Sequence, residues 1–311
     1  MATSTLSRWT RSKPPPAPLA QTCGAELIFD THVHIWEMPP IAPIGPTAPG
    51  WKSKPDEPAT AETLIEDMDA NGVDRSVLVQ TSWSTWDNGY VADAARRFPD
   101  RFVAMGLIDP LDPGNAEKAK YWARARGMAG FRLHPVYYEE AVLTAGRNRA
   151  LWQAIADLRL VVQVHMRPQH AAQIGKIAAE YSVTPILIDH LAYPEIGKSG
   201  WLDAYRPVLD LARYPNLYVK VSDVKGRSQQ PFPFEDVQVA IRAVYEAFGP
   251  QRLLWGTGYP GHHRTKHGWL SLADELRLVR NGFDFLSDKE KLMLLGTNAD
   301  RIWPRTPVRS A

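Results

Sequence analysis

The chain has 311 residues, which excludes a small disulfide-stabilised scaffold or a short helical module. Hydrophobic residues account for 44% of it and charged residues for 23%, so it has enough core-forming side chains to fold in water. The 36 basic and 34 acidic residues leave a net charge of +2 and form no long block of one sign. This balance favours a small-molecule partner over nucleic acid or a membrane, and it leaves homo-oligomerisation open.

The N-terminal segment, residues 1–26, is rich in proline. Because the run from Pro14 to Pro18 cannot form a helix, we expect this segment to be an extended arm. No segment has the roughly 20 consecutive apolar residues of a membrane span, and the N-terminus lacks the apolar run of a secretory signal. The single cysteine, Cys23, excludes an intramolecular disulfide. We therefore expect a cytoplasmic protein.

A single domain is expected over residues 27–304, with a short tail at 305–311. Eight aliphatic and β-branched runs predict strands at 27–32, 76–80, 102–108, 129–133, 161–165, 185–189, 217–222 and 252–258. Between them, apolar residues spaced three and four apart predict helices at 61–71, 90–98, 116–126, 149–158, 171–181, 202–212 and 236–248. A second proline-rich stretch, residues 38–58, is expected to form a loop over a site.

The spacing of these elements predicts a (β/α)8 TIM barrel. Strand ends recur about every 32 residues, the length of one βα unit, and nearly continuous apolar strands are typical of a parallel sheet covered by helices. A doubly wound open sheet is the alternative. It would normally carry a glycine-rich phosphate turn after its first strand, where this chain has DTHVH instead.

The nine histidines all lie at or shortly after the end of a predicted strand. In a (β/α)8 barrel these positions form one rim, where active sites are built. A single histidine at such a position is more often a hydrogen-bonded structural residue. We keep that interpretation for five of them: His134, His170, His262, His263 and His267.

His32 and His34 differ from these because residues two apart on a strand point to the same side. His165 ends the fifth predicted strand and His190 follows the sixth, and both would face the pair across the barrel. Neutral imidazoles suit zinc and similar divalent ions, and three protein ligands plus water form a catalytic arrangement. The sequence therefore predicts His32, His34 and His165 as candidate metal ligands, and it leaves a metal-free site equally open. It predicts no organic cofactor.

Four motifs in chain order resemble the amidohydrolase superfamily, in particular its amidohydrolase-2 branch. They are FDTHVHIW at 29–36, VH at 164–165, IDHL at 188–191 and WGTGYP at 255–260. The branch includes pyrone-dicarboxylate and sugar-lactone hydrolases and decarboxylases of the aminocarboxymuconate-semialdehyde type. The resemblance implies a barrel enzyme acting on small molecules, with zinc or manganese in the decarboxylases and no metal in the pyrone-dicarboxylate hydrolases.

One position departs from the family pattern. The eighth-strand motif ordinarily carries an aspartate that binds the metal or acts as general base, and this chain has Gly258 there. Either another group replaces that base, or the chain has been altered or has lost activity, or the chemistry needs no base at that place. His190, His262 and His263 are candidate replacements.

Further rim residues suggest what is bound. Arg132 at the end of the fourth predicted strand could grip a carboxylate or a lactone oxygen, although an ion pair with a neighbouring acid is an equal alternative. Lys220 is expected to form an ion pair inside the barrel or at its rim. Aromatic residues near strand ends would line a pocket for a cyclic substrate. The predicted substrate-binding residues are Trp36, Trp83, Tyr137, Arg167, Tyr259 and His262.

These residues lead to three functional hypotheses. The first is a hydrolase of a lactone or similar cyclic ester, carboxylated or aromatic, with His190, His165 and Arg132 as catalytic residues. The second is a metal-dependent, non-oxidative decarboxylase of an aromatic or unsaturated acid. The third is an inactive barrel that binds a metabolite, because Gly258 is what a decayed site would show.

Overall fold

A computed structural model describes residues 26–37, 57–82, 86–138, 141–259, 266 and 268–305. Within these ranges eight parallel strands form one sheet, in which each strand pairs with the next in the chain. The strands are β1 (Phe29–Val33), β2 (Arg75–Val79), β3 (Phe102–Leu107), β4 (Gly130–Leu133), β5 (Val161–Val164), β6 (Ile186–Ile188), β7 (Leu217–Val221) and β8 (Leu253–Trp255). The predicted (β/α)8 barrel is confirmed.

The sheet closes through the segment that follows β8. Gly258 N–H donates to the carbonyl of His32 over 2.6 Å, and His34 N–H donates to the carbonyl of Tyr259 over 3.0 Å. The buried carboxylate of Asp30 accepts from Thr257 N–H at 3.0 Å, which ties the same two segments together. These bonds bring the two ends of the predicted site, at the first and eighth strands, side by side.

Helices follow the strands and cover the outside of the barrel. They are α1 (Ala61–Asn71), α2 (Gly89–Arg97), α3 (Asn115–Arg126), α4 (Arg149–Asp157), α5 (Ala171–Glu180), α6 (Trp201–Leu209), α7 (Val224–Arg227), α8 (Glu235–Phe248), α9 (Leu272–Arg277), α10 (Asp288–Leu292) and α11 (Asn298–Ile302). All seven predicted helices are present, and the sequence analysis had not predicted α7 or the last three. In the described part of the chain, no helix is both long and apolar enough to cross a bilayer.

Local sequence explains how the helices begin and end. The Thr60 side chain accepts from Thr63 N–H and caps the start of α1, and Gly72 ends that helix with a φ of 69°, which glycine adopts without strain. The domain limits at 27 and 304 stay predictions. Residues 1–25, most of the loop at 38–58 and residues 306–311 lie outside the described ranges.

The barrel interior has an apolar part and a polar part. Its apolar part, which includes side chains from the last helix and the segment after it, contains Phe29, Val77, Val79, Met105, Val161, Leu187, Leu254, Ala299 and Trp303. Arg132 on β4 is level with Gln163 on β5, which is level with Leu187 on β6, so all three side chains point inward. Two residues further along these strands, the same inner side carries His134, His165 and Asp189.

A β-bulge sets the direction of the histidines on β1. Phe29 pairs with Arg75 and Val33 pairs with Leu78, so β1 has one residue more than β2 over the same stretch. The extra residue places Phe29 and His32 on the same inner side. Gly256 lies beside this histidine, and a Cβ there would be only 2.8 Å from the Cβ of His32, so the close approach requires glycine.

Candidate active site

At the carboxyl end of the strands, one buried carboxylate binds two buried cations. Asp189 accepts a hydrogen bond of 2.7 Å at Oδ2 from Nε of Arg132, and its Oδ1 lies 3.3 Å from Nζ of Lys220. The side chains of Asp189 and Lys220 are 0% exposed. Nδ1 of His32 lies 3.4 Å from the same Oδ1. We call Asp189, Arg132, Lys220, His32 and His34 the charged cluster.

The charges of this cluster shift one another's protonation. Burial favours the neutral acid, but Lys220 and Arg132 outweigh it and hold the pKa of Asp189 well below its usual range. Burial lowers the pKa of Lys220 to about 8, against the opposing attraction of Asp189. At neutral pH the cluster therefore contains two cations and one anion, and it presents a net positive charge to the barrel mouth.

The rings of His32 and His34 form one directional chain of hydrogen bonds. Nδ1 of His34 lies 2.7 Å from the carbonyl of Val79, which can only accept, so this nitrogen carries the proton. Nε2 of His34 then accepts from Nε2–H of His32 across 3.3 Å. Nδ1 of His32 is left as an acceptor for Lys220 Nζ, also at 3.3 Å. Both rings are thus neutral, and burial lowers the pKa of both, to about 4 for His34.

His190 lies in a left-handed turn directly after β6. Residues 190–193 have φ values of 52°, 56°, 55° and 55°, although none is glycine. Such a conformation costs an L-residue roughly 1–2 kcal/mol. Tyr205 holds the turn, because its Oη donates to the carbonyl of Leu191 over 2.6 Å. The strained turn is therefore fixed by a buried hydrogen bond from α6.

The contacts of His190 show which of its two ring nitrogens is unprotonated. Nε2 lies 3.4 Å from Arg132, which can only donate, so this nitrogen is an acceptor. Nδ1–H then donates to Oγ of Ser222 at 2.9 Å. Burial lowers the pKa of His190 well below its usual value, so the ring is neutral at pH 7. The arrangement provides a neutral base beside a guanidinium.

Four rings next to His190 form a second group, the ring cluster: His134, Tyr137, His165 and Tyr193. His134 stacks on Tyr137 with ring centroids 4.7 Å apart, and His165 lies 5.0 Å from Tyr193. Nε2 of His134 and Nδ1 of His165 are buried and have no hydrogen-bond partner among the described residues. Burial lowers the pKa of both imidazoles. These neutral nitrogens are available to polar atoms of a ligand.

A divalent metal would find three ligand atoms here, from His32, Asp189 and His190, all within 4.8 Å of one another. The chain's own groups already engage these atoms. Arg132 and Lys220 bind the two oxygens of Asp189, and Lys220 also contacts Nδ1 of His32. An ion here would meet two fixed cations, so the residues in this arrangement do not fit a divalent metal.

The predicted site residues lie in different settings. His32, His34 and Arg132 belong to the charged cluster, so the predicted ligand pair on β1 is brought together. His165, predicted as the third ligand, belongs to the ring cluster instead. For Arg132, the alternative of an ion pair with a neighbouring acid is what the structure shows, and Lys220 forms the expected ion pair with the same acid.

The predicted substrate-binding residues lie in three different settings. Tyr137 lies in the ring cluster, and exposed Arg167 has its guanidinium carbon 5.8 Å from the ring centroid of Tyr193. Trp36 and Tyr259 are buried in the packing, at 3% and 2% exposure, and the Trp36 indole donates to the carbonyl of Glu57. Trp83, His262, His263 and His267 lie outside the described residues. Their roles stay predictions.

Two residues of the site were not proposed from the sequence. Asp189 was part of the sixth-strand motif but received no role, although an acid directly after a buried strand is a usable signal. Tyr193 follows four residues later, and nothing in its local sequence marks a left-handed turn. A cavity of about 540 Å³ opens beside it, lined in part by Arg167, Tyr193, Glu195 and Trp201. This cavity provides space for a small molecule next to the ring cluster.

Two curated relatives match most of the chain. It is 26% identical to an L-fucono-1,5-lactonase of Burkholderia ambifaria over 271 residues, which are 79% of this chain and 87% of that one. It is also 26% identical to a 4-sulfomuconolactone hydrolase of Hydrogenophaga intermedia over 282 residues, or 88% of each chain.

Solved structures share the fold. A probable 2-pyrone-4,6-dicarboxylic acid hydrolase of Acinetobacter baumannii with bound citric acid superposes with a TM-score of 0.76 at 21% identity, covering 89% of this chain and 98% of that one. An amidohydrolase of Burkholderia multivorans with bound zinc gives a TM-score of 0.71 at 21% identity, covering 90% and 100%. The family model described as amidohydrolase matches residues 29–305. The chain therefore belongs to the amidohydrolase family.

Proposed function

We propose that the protein is a hydrolase that opens a lactone or a similar cyclic ester. The observation that carries this proposal is the neutral imidazole of His190 held beside buried cations. Ester hydrolysis needs a base for the attacking water and positive charge for the oxygen that becomes negative in the transition state. The similarity to a lactonase and to a sulfomuconolactone hydrolase supports the same reaction class.

In the proposed reaction, water adds to the lactone carbonyl carbon and the ring C–O bond breaks. His190 accepts a proton from the attacking water at Nε2 and returns it to the leaving alkoxide, so the product is a hydroxy acid. Nδ1–H stays on Ser222, which fixes the ring. The contact between Nε2 and Arg132 is long, at 3.4 Å, so a water molecule can take the place of the guanidinium.

Arg132 and His165 are the proposed partners of the carbonyl group. The hydrogen bond from Nε of Arg132 to Asp189 fixes the plane of the guanidinium, so little reorganisation is needed when negative charge develops. His165 has an unpartnered Nδ1 in the ring cluster and would hold a second substrate oxygen. Loss of either residue should slow turnover more than it weakens substrate binding.

The ring cluster supports a flat, anionic substrate. Tyr137 and Tyr193 offer aromatic faces, and the exposed Arg167 beside them would bind a carboxylate on the lactone ring. Because Trp36 and Tyr259 are buried, any part they play in binding would be through shaping the wall of the site. This substrate class, carboxylated or aromatic, is part of the proposal.

The two other hypotheses are less well supported. Metal-dependent decarboxylation would need an ion at Asp189, which Arg132 and Lys220 already engage. An inactive barrel remains the interpretation to be tested through Gly258. Among the described residues, apart from its chain neighbours, no atom lies within 4 Å of where its Cβ would be. Its φ of +71° strains most side chains, with aspartate and asparagine among the better tolerated.

Steady-state assays against a panel of carboxylated, aromatic and sugar lactones test the proposal. We expect turnover by the unaltered protein, and His190→Asn should lower kcat by about 10²–10⁴-fold while circular dichroism stays unchanged. His170→Asn, at a strand-end histidine outside both clusters, is the matched control and should turn over normally.

Two outcomes would contradict the proposal. Turnover by His190→Asn at the rate of the unaltered protein would remove His190 from the chemistry. A folded protein that hydrolyses none of the lactones, but gains activity in Gly258→Asp, would instead establish the inactive barrel.

A further inference from the structure

The ammonium group of Lys220 lies where this site could otherwise hold a metal. Its Nζ is 3.3 Å from Nδ1 of His32 and 3.3 Å from Oδ1 of Asp189, two of the three residues that could hold a metal. Its third neighbour is the carbonyl of Thr31, which accepts from Nζ at 2.7 Å. The ammonium thus donates to the Thr31 carbonyl, contacts Nδ1 of His32 and forms an ion pair with Asp189, and the side chain is fully buried.

We propose that Lys220 is a built-in cation that replaces a divalent metal, and that neutralising it by substitution would create a metal site at His32, Asp189 and His190. The positive charge of the lysine lies beside His32 and Asp189, where a metal ion bound to them would otherwise lie. It differs from a metal in being covalently attached to β7, so the unaltered protein needs no ion to hold these side chains in place.

The charge balance of the cluster supports this assignment. Asp189 is the only carboxylate of the ligand group found in the described part of the chain, and it already faces Lys220 and Arg132. A divalent ion would add two positive charges to a buried carboxylate that already contacts two cations, which is strongly unfavourable. Gly258, at the mouth of the same barrel, supplies no further carboxylate.

Removing the lysine charge changes this balance in favour of the metal. Lys220→Met keeps an unbranched side chain of similar length and leaves Arg132 on Oδ2 of Asp189, so the carboxylate keeps one partner. Nδ1 of His32 then loses its donor, and Oδ1 of Asp189 loses its ion-pair partner. Each is a common zinc ligand in its unprotonated form.

Zinc content is the direct test. The unaltered protein, Lys220→Met and Lys220→Arg are incubated with zinc chloride, passed through a desalting column and analysed by elemental mass spectrometry. We expect about one zinc per chain in Lys220→Met, with affinity raised by roughly a hundredfold or more because a neighbouring positive charge is gone. Lys220→Arg keeps the charge and should stay close to the unaltered protein.

Further variants locate the ion. Zinc bound at exposed histidines would persist in Lys220→Met/His32→Asn, whereas zinc at the proposed site would be lost. Cobalt in place of zinc adds a readout of coordination through its visible absorption. If Lys220→Met proved insoluble, Lys220→Gln would serve as the second neutral variant.

Either of two results would overturn the proposal. One is a folded Lys220→Met or Lys220→Gln that retains no more zinc than the unaltered protein. The other is one tightly held zinc in the unaltered protein that His32→Asn removes. Because metal content is measured without substrate, a failure of the lactonase proposal would leave this result unaffected.

Discussion

The charged cluster and the ring cluster lie side by side at the barrel mouth, but the hydrogen bonding of their imidazole nitrogens differs. In the charged cluster, the nitrogens of His32 and His34 and the ammonium of Lys220 all contact other groups of the chain. In the ring cluster, a buried nitrogen on each of His134 and His165 has no partner among the described residues. Unmet hydrogen bonds mark the place where a ligand can gain most by binding.

The difference suits the charged cluster to electrostatic stabilisation and the ring cluster to ligand binding. A network in which both cations contact the same carboxylate holds its geometry before substrate arrives, which favours electrostatic stabilisation of a transition state. A group with free nitrogens and aromatic faces can adapt to what it binds. His190 lies between them, with its ring centroid 4.6 Å from that of His32 and 6.1 Å from that of His165.

The largest effect is expected from removing the one anion of the charged cluster. Asp189→Asn removes the carboxylate that contacts both buried cations, Lys220 and Arg132, so the free energy of unfolding should fall by about 3–5 kcal/mol. Urea unfolding followed by fluorescence measures it. Asp203→Asn is the control, since that acid is 84% exposed and should change stability by less than about 0.5 kcal/mol. A soluble Asp189→Asn with an unchanged midpoint would show that the cluster is not the structural element described.

Acid should destabilise the fold through the neutral histidines. The pKa of His34 is lowered to about 4 in the folded protein, mainly by burial, and is about 6.5 in the unfolded chain. Between these values the unfolded state binds more protons, so stability is complete above pH 6.5 and is lost as the pH falls toward 4. This histidine alone accounts for up to about 3 kcal/mol.

Thermal unfolding measured from pH 7 to pH 4 checks this prediction. His34→Gln should weaken the pH dependence of the unfolding temperature, whereas substitution of the half-buried His170 should leave most of that pH dependence in place. An identical slope in the unaltered protein and His34→Gln would mean that His34 is not held neutral.

A smaller effect is expected where α6 holds the turn that carries His190. Tyr205→Phe removes the donor to the carbonyl of Leu191 in a fully buried setting, which should cost about 1–3 kcal/mol. It should also lower kcat without a matching rise in KM, because the base loses its position. Tyr245→Phe, which loses a bond to Glu290 near the surface, is the control. Equal effects of the two substitutions on kcat would mean that the Tyr205 bond does not position His190 for catalysis.

The sequence was sufficient for the fold because each strand is a compact apolar run and each helix repeats its apolar residues at short range. It also placed His32, His34, His165 and His190 at one end of the barrel, since that follows from strand ends alone. The pairing of Arg132 with Asp189 was beyond such reasoning, because it joins residues 57 positions apart whose meeting depends on inward register. The separation of His165 from the pair on β1 depends on the same register.

The left-handed turn at residues 190–193 could not be predicted from the sequence for a different reason. Positive φ is ordinarily indicated by glycine or asparagine, and this turn consists of histidine, leucine, alanine and tyrosine. A backbone hydrogen bond of 3.0 Å from Tyr193 N–H to the carbonyl of His190 stabilises it from within, and the Tyr205 bond stabilises it from α6. Backbone strain of this kind is often found at functional sites, where tertiary contacts outweigh local preference.

The substitution with the smallest expected effect, Ala192→Gly, tests the backbone strain of this turn. In Ala192→Gly, relief of a φ of 55° gains about 1–2 kcal/mol, while lost burial of a methyl group and the flexibility of glycine in the unfolded chain together cost a similar amount. The net change should therefore be close to zero. In Ala243→Gly, within α8, there is no strain to relieve, and the cost should be about 1 kcal/mol. Urea unfolding of both variants gives the difference, and equal costs would mean that the turn joining the two clusters is not strained.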